Sequence, residues 1–315
     1  MIDLTNMNGI TSSETYEDGT MKACRIQGFN KISTPYGDLV PQFTEEFKQF
    51  QRRKKFRASL ICHCNGTLKS VALEEQMDIQ TPLGKYPAEL VTFYEDGALN
   101  RVFPLNGQID GYWSENDEGE LAESYSFQLS VGLITTKLIS LRFDSLGILK
   151  SLTFWPKTEV TMRTPLGDIL CRNGLSLYSD GALKSTEPAK AIIIETPFGK
   201  VLAFDPNAMG IHADSGSLRF HQDGNLKAFT SLVNTFEVED KEGNKKLIEP
   251  REIPSYISDD DTEVLPVQVT LDKDHVTFNN GERTTFTLDE IKVKIGMSKL
   301  SMSDCSDCSS CSSCG

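Results

Sequence analysis

The chain has 315 residues, 38% hydrophobic and 24% charged, with a formal net charge of −13. The length suits one large or two ordinary domains, and the acidic balance speaks against general nucleic-acid or acidic-membrane binding. With no run of eighteen apolar residues and no basic-then-apolar opening in residues 1–6, neither a transmembrane helix nor a secretion signal is expected, and the cytoplasm is the expected compartment.

In chain order, the first predicted element is a hairpin around Tyr16-Glu17-Asp18-Gly19. The same signal returns at His63-Cys64-Asn65-Gly66, Tyr94-Glu95-Asp96-Gly97, Tyr178-Ser179-Asp180-Gly181 and His221-Gln222-Asp223-Gly224, with a degenerate copy at Ser145-Leu146-Gly147. An apolar residue stands two places after each glycine (Met21, Leu68, Leu99, Leu149, Leu183, Leu226), and a lysine usually follows it (Lys22, Lys69, Lys150, Lys184, Lys227). Asp-Gly and Asn-Gly suit the left-handed φ values of a two-residue type I′ hairpin. The apolar-then-lysine order predicts one side chain inward and the next outward on a pleated strand. His63 and His221 stand where Tyr16, Tyr94 and Tyr178 stand, and read as flat side chains packing before a turn. Cys62 and Cys64 would share one face of a strand with His63 on the other, so the three do not form a chelate.

A second turn signal is Thr34-Pro35-Tyr36-Gly37, repeated at Thr81-Pro82-Leu83-Gly84, Thr164-Pro165-Leu166-Gly167 and Thr196-Pro197-Phe198-Gly199. Proline presets φ at the first central position of a turn and glycine closes it. Gly19 to Thr34, Gly66 to Thr81 and Gly181 to Thr196 share one separation, fifteen positions by subtraction. The same step from Gly224 reaches Glu239, beside Asp240-Lys241-Glu242-Gly243, a decayed final copy. These spacings predict an all-β fold, an antiparallel β-meander of repeated hairpins, with the Asp-Gly turns along one edge and the Thr-Pro-x-Gly turns along the other. One such hairpin cannot bury its apolar face alone, whereas stacked neighbours can.

Between the first two units, Phe43, Phe47 and Phe50 follow helical spacing, acids open the segment and bases close it, and Thr44 can cap it. This predicts one inserted amphipathic helix over residues 43–56 that lays its phenylalanines on the sheet. The Arg52 to Lys55 run reads as a solvated helix end, with an anionic partner as the alternative.

The longest departure from the repeat lies between Gly97 and Gly147, where Gly107 and Gly119 add further turns. Within it, Tyr94, Gly97, Leu99, Gly107, Gly111, Trp113, Gly119 and Leu121 follow a recognisable pattern. The window 94–121 resembles the MORN-type repeat variant of bacterial antitoxin-like repeat proteins. That resemblance implies a binding or scaffolding module and brings no catalytic residues with it. A second departure, residues 203–216, is a polar, turn-rich loop holding Asp205, His212 and Asp214. Long loops on a rigid sheet are where function tends to sit; the loop is read as an ordinary ordered connection, with a metal or general-base site as the alternative.

The β-hairpin repeat domain is thus expected over residues 1–249. Residues 250–263, rich in proline, serine and acids, read as a linker, 264–297 as a small C-terminal β-unit, and 298–315 as a Cys/Ser-rich tail. Four of the eight cysteines, Cys305, Cys308, Cys311 and Cys314, recur there at every third residue. Four thiolates satisfy tetrahedral zinc or an iron–sulfur cluster. The tail supplies only serine and aspartate around them, against the apolar wrapping of a buried cluster, so thiol redox work, cysteine modification and an inert flexible tail stay open beside metal.

No nucleophile motif, Walker loop or dinucleotide fingerprint occurs. The expected function is a non-enzymatic β-repeat binding or scaffold protein with a flexible thiolate tail, no catalytic or cofactor-binding residues, and a protein partner. The alternative is a metal-handling or thiol-redox accessory protein acting through that tail. Thiolates must lose protons to bind metal, so cobalt titration of the reduced chain at neutral pH should give strong tetrahedral absorption that fades with acid and weakens in Cys308→Ser. A featureless titration under anaerobic conditions removes the metal reading.

Overall fold

The computed structural model describes residues 7–43, 53, 58–208, 213–254 and 262–299. Its main sheet is antiparallel; Ser124–Leu129 and Val160–Thr164 pair at its side in arms, and its other strands lie in space in chain order. They are Ile10–Thr15, Met21–Ile26, Leu60–Cys62, Leu68–Thr81, Gly84–Phe93, Leu99–Phe103, Gly132–Phe143, Leu149–Phe154, Gly167–Leu177, Leu183–Pro188, Leu218–Phe220, Leu226–Ser231, Val267–Leu271, His275–Asn279 and Arg283–Thr287. The all-β meander read from the turn signals is the fold.

Register makes the two faces of this sheet chemically different. One cross-strand row runs through Cys24, Leu60, Val71, Val91, Val102, Leu141, Leu152 and Leu175, each the partner of the next. All are at most 2% exposed, so this row closes the core. The row beside it runs through Ile61, Ser70, Thr92, Arg101, Arg142, Ser151, Ser176, Ser185, Arg219, Ala228, Thr270, Thr277 and Thr285. Neighbours along a strand point to opposite faces, so the second face is built of hydroxyls and arginines. Its hydroxyls pair across strands: Ser176 Oγ lies 2.6 Å from Ser185 Oγ, and Thr277 Oγ1 lies 2.9 Å from Thr285 Oγ1.

The Asp-Gly turns differ in type from the I′ expectation. In each, the first residue's N–H donates to the carbonyl four places on and the glycine N–H donates back to the first residue, as in Tyr94 N–H to Ala98 O at 2.9 Å and Gly97 N–H to Tyr94 O at 2.9 Å. Positive φ falls on the glycine (Gly97 at 84°), and Asp96 is not among the non-glycine residues that share it. This is a three-residue loop, a type I turn closed by a glycine bulge. The Asp carboxylate completes it by accepting from the residue after the glycine, as Asp96 Oδ1 does from Ala98 N–H at 2.9 Å. Each strand then carries a second irregularity: Phe93 pairs with Leu99 but Thr92 with Arg101, leaving Asn100 extra. Lys22, Lys69, Lys150, Lys184 and Lys227 occupy that same extra position in their hairpins. The recurrent lysine therefore marks a β-bulge, where a long solvated side chain is easily housed.

The ring that heads each turn bonds to the next unit. Tyr16 Oη donates to Cys62 O at 2.9 Å, Tyr94 Oη to Phe143 O at 2.8 Å and Tyr178 Oη to Phe220 O at 2.9 Å. His63 Nε2 lies 3.0 Å from Phe93 O, and His221 Nε2 lies 3.0 Å from Leu271 O. Every accepting carbonyl belongs to the residue just before the next turn. The degenerate turn, with Asp144 at its head, interrupts the ladder. Cys62 is buried at the end of its strand while Cys64 is exposed on the turn, so the two do not share a strand face.

The Thr-Pro-x-Gly turns do not lie on the opposite edge. They cap arms whose buried side chains join the same core, among them Ile32, Ile79, Met162 and Ile194. The strands bend where pairing slips, as between Ala72 and Met77, and the arms fold back onto the Asp-Gly turns of later units. Tyr36 Oη accepts from Leu99 N–H at 2.9 Å, a Cβ at Gly147 would touch Pro82 at 3.0 Å, and a Cβ at Gly224 would lie 3.6 Å from Pro165. Both turn sets thus share one border. Within each arm turn the threonine hydroxyl donates to the glycine carbonyl, as Thr81 Oγ1 does to Gly84 O at 2.8 Å, and accepts from the intervening N–H. The copy at Asp240 to Gly243 stands in an arm between Asn234–Asp240 and Lys245–Ile248, yet has the Asp-Gly type of turn.

Of the helix expected over 43–56, Phe47, Phe50, Arg52 and Lys55 lie outside the described residues. Phe43 is half-buried and meets Phe29 edge-on at 6.2 Å. The described α-helix, Glu115–Leu121, falls where further turns were expected, opened by a Ser114 and Asp117 capping box. The stretch read as a linker contributes paired strands, Arg251–Pro254 with Thr262–Leu265. Of the expected C-terminal unit, Val267–Leu271, His275–Asn279 and Arg283–Thr287 extend the main sheet, and Ile291–Met297 pairs with Asn234–Asp240 in the last arm.

Removing one ladder bond with Tyr94→Phe should cost about 1 kcal/mol in equilibrium urea unfolding. Gly97→Ala should cost about 1 kcal/mol or more through its positive φ alone, since open space surrounds that position.

Candidate functional site

The loop after the arm strand Gly199–Ala203 crosses the polar face. Its described part is anchored by that face: Ala213 N–H donates to Thr153 Oγ1 at 3.3 Å and Gly216 N–H to Ser185 Oγ at 3.0 Å. A Cβ at Gly216 would stand 2.2 Å from Thr186 O, so only glycine permits this approach. His212 lies outside the described residues.

The two loop aspartates go to different places. Asp214 meets Arg101 Nη2 at 2.6 Å and Arg142 Nη1 at 3.0 Å, and accepts from Ser151 Oγ at 2.6 Å. Burial opposes its charge, but the Ser151 hydroxyl and the two guanidinium groups win and hold its carboxyl below the usual range. Asp214 is therefore a clasp between the loop and the polar row. That neighbourhood is arginine-rich: burial is the largest influence on Arg101 and lowers its pKa, with Arg142 adding to the effect.

Asp205 instead borders a cleft of about 180 Å³ that it shares with Asn173, Glu187, Ser217, Arg219 and Gln268. A strand irregularity opens the cleft. Arg172 pairs with Glu187 but Leu175 with Thr186, so Asn173 and Gly174 bulge out, with φ of 63° and 135°. Glu187 is 2% exposed, and Ser217 N–H and Oγ both donate to its carboxylate at 2.8 Å. Burial pushes its carboxyl up to about 7, against the Ser217 bonds and helped by the charge of Asp205. Burial raises Asp205 as well. Arg172 sends Nη2 to Asp205 O at 2.7 Å and to Pro206 O at 3.3 Å and covers the Phe204 ring. Nε of Arg219 is buried and has no hydrogen-bond partner among the described residues. The cleft therefore combines Glu187, its carboxyl pushed up to about 7, and Asp205, raised by burial, with the guanidinium of Arg219.

A second, smaller cleft of about 40 Å³ is lined by Arg53 and Glu89. Arg53 lies between Glu89, which it meets bidentately at 2.8 Å, and Glu118, which it meets at 2.6 and 2.7 Å. Gly107 N–H and Trp113 Nε1 also donate to Glu118, each at 2.7 Å. Gly107 and Trp113 from the repeat-like window thus serve this ion cluster, and Gly119 sits in the helix beside it. One cation of the run read as a solvated helix end is instead paired within the chain.

Among the described residues no group of three or more His, Cys, Asp or Glu side chains is arranged to hold a metal ion. Cys305, Cys308, Cys311 and Cys314 lie outside those residues. Cys24, Cys62 and Cys171 are buried free thiols, and burial raises the pKa of each. Sequence reasoning missed Glu187, Arg172, Asn173 and Arg219; a signal was present in the Arg-Asn-Gly run, which breaks strand patterning at 172–174. No family model, curated protein or solved structure matches the chain. No described helix is long and apolar enough to cross a membrane.

Folded Glu187 keeps its proton up to about pH 7, whereas unfolded it releases it near 4.5. The folded state then binds the extra proton, so this contribution to stability is full below about pH 4.5 and is lost as pH rises through 7. Glu187→Gln should become more stable relative to the parent chain across that window. The gap should level off near about 3 kcal/mol, following about 1.4 kcal/mol per pH unit. Chemical unfolding at pH 5 and pH 8 measures it; equal gaps at both would show that Glu187 is ionised throughout.

Proposed function

We propose that this chain is a non-enzymatic β-repeat binding or scaffold protein that holds a protein partner on the polar face of its sheet. The observation that supports the reading most is the cross-strand row from Ile61 to Thr285, mostly hydroxyls and arginines, opposite an apolar row that joins the core. The members of that row that keep solvent exposure, among them Thr92, Arg142, Thr270 and Thr285, would offer hydrogen bonds from a rigid platform with positions set by the ladder, so a partner would lose little to reorganisation. The MORN-type resemblance over 94–121 agrees with a binding module. The formal charge of −13 favours a partner that is not a nucleic acid or an acidic membrane. Free thiols at Cys24, Cys62, Cys64 and Cys171 accord with the cytoplasm. The tail reading, metal handling or thiol redox work through Cys305, Cys308, Cys311 and Cys314, stands beside it on the even thiol spacing.

The test places large cations on the platform without touching the core: Thr270→Arg with Thr285→Arg. Both residues lie on the polar row, and Thr285 is exposed. Quantitative affinity enrichment from the source cells should recover a partner set with the parent chain that falls at least tenfold with the folded double variant. Identical recovery by both proteins removes this face as the binding surface.

A further inference from the structure

We propose that the Glu187–Asp205 cleft binds a small zwitterion carrying a guanidinium or ammonium group beside a carboxylate, the chemistry of a free basic amino acid. The first support is an internal comparison. Glu89 and Glu187 both face an irregularity in the strand opposite: Ala72 to Met77 for the former, Arg172 to Leu175 for the latter. At the first, the chain inserts Arg53, whose guanidinium joins Glu89 to Glu118. At the second, Glu187 receives only the neutral donors of Ser217, and Arg172, opposite in register, directs its hydrogen bonds to the Asp205 and Pro206 carbonyls. The second carboxyl pair thus has the surroundings of the first without a guanidinium bonded between them.

Arg219 supplies the other half of the ligand. It lines the same cleft and brings a guanidinium charge to it. A ligand carboxylate would accept from Arg219 while its cationic end reached Glu187 and Asp205, and Asn173 and Gln268 line the space between with amides. The cleft, about 180 Å³ against about 30 Å³ for a liquid water, has room for a compact organic molecule. A ligand of both signs also explains why the lining mixes two carboxyls with a guanidinium: a bare cation would be repelled by Arg219, and a bare anion by Glu187 and Asp205.

This inference does not rest on the partner-binding reading, because its residues and readout are separate from Thr270 and Thr285. Isothermal titration of the full chain uses L-arginine, agmatine, which lacks the carboxylate, and L-citrulline, which lacks the guanidinium charge. L-Arginine should bind at one site per chain, with agmatine and L-citrulline at least tenfold weaker. Glu187→Gln and Arg219→Gln should each weaken L-arginine at least tenfold with circular dichroism unchanged; Asp205→Asn, on the loop, replaces either variant that fails to fold. Absence of L-arginine binding at millimolar concentration overturns the proposal, as does agmatine or L-citrulline binding equal to L-arginine, or binding that survives both charge-removing variants.

Discussion

A hydrogen bond from the ring at the head of one turn to the last strand carbonyl before the next is the constraint on which the array depends. Tyr16, His63, Tyr94, Tyr178 and His221 each make it. Hairpins whose sequences differ elsewhere are thereby held at one spacing and in one register. Register matters because a slip of one residue would turn every side chain to the wrong face. With it held, the apolar row stays under the arms and the hydroxyl and arginine row stays opposite. Tyrosine and histidine are interchangeable here because each presents a flat ring with a donor at its far end. The bulges after the turns add twist, and the arms bend back until Pro82 and Pro165 rest on the Gly147 and Gly224 turns.

The described part of the loop that follows Ala203 is tied to the polar face. Asp214 fastens the loop to Arg101 and Arg142, rows away from where the loop begins, and Gly216 lets its backbone lie against Thr186. That attachment brings Ser217 to Glu187 and Asp205 to the same cleft. Buried carboxyls and arginines are costly when left unpaired. The chain meets that cost with Arg53 at one bend and with Ser217 at the other, and the difference between the two solutions is what singles out the second cleft.

Much of the architecture was legible in the chain. The two turn signals, their fifteen-residue separation and the alternation between them specify antiparallel hairpins, because Asp-Gly, Asn-Gly and Thr-Pro-x-Gly each restrict the backbone locally. Less legible was the turn type, since Asp-Gly serves both a two-residue I′ loop and a three-residue bulged loop; the lysine after each apolar residue was the sign of the bulge. The Glu115–Leu121 helix was hidden by Gly119 inside a pattern that resembled further repeat, although Ser114 and Asp117 form a local cap that could have marked it.

What the sequence determined by itself was a set of features fixed by neighbouring residues: turn positions, strand alternation, the all-β class and the even thiol spacing of the tail. Only the tertiary structure decided where the arms fold, that Arg251–Pro254 pairs with Thr262–Leu265, that Asp205 and Asp214 part company, and that Glu187 is buried in the cleft that Asp205 and Arg219 also line. These depend on bends and contacts between residues tens of positions apart, such as Arg101 with Asp214 and Arg53 with Glu118. No local propensity encodes such meetings. They follow from packing, once the two faces of a long twisted sheet must be covered by whatever chain remains.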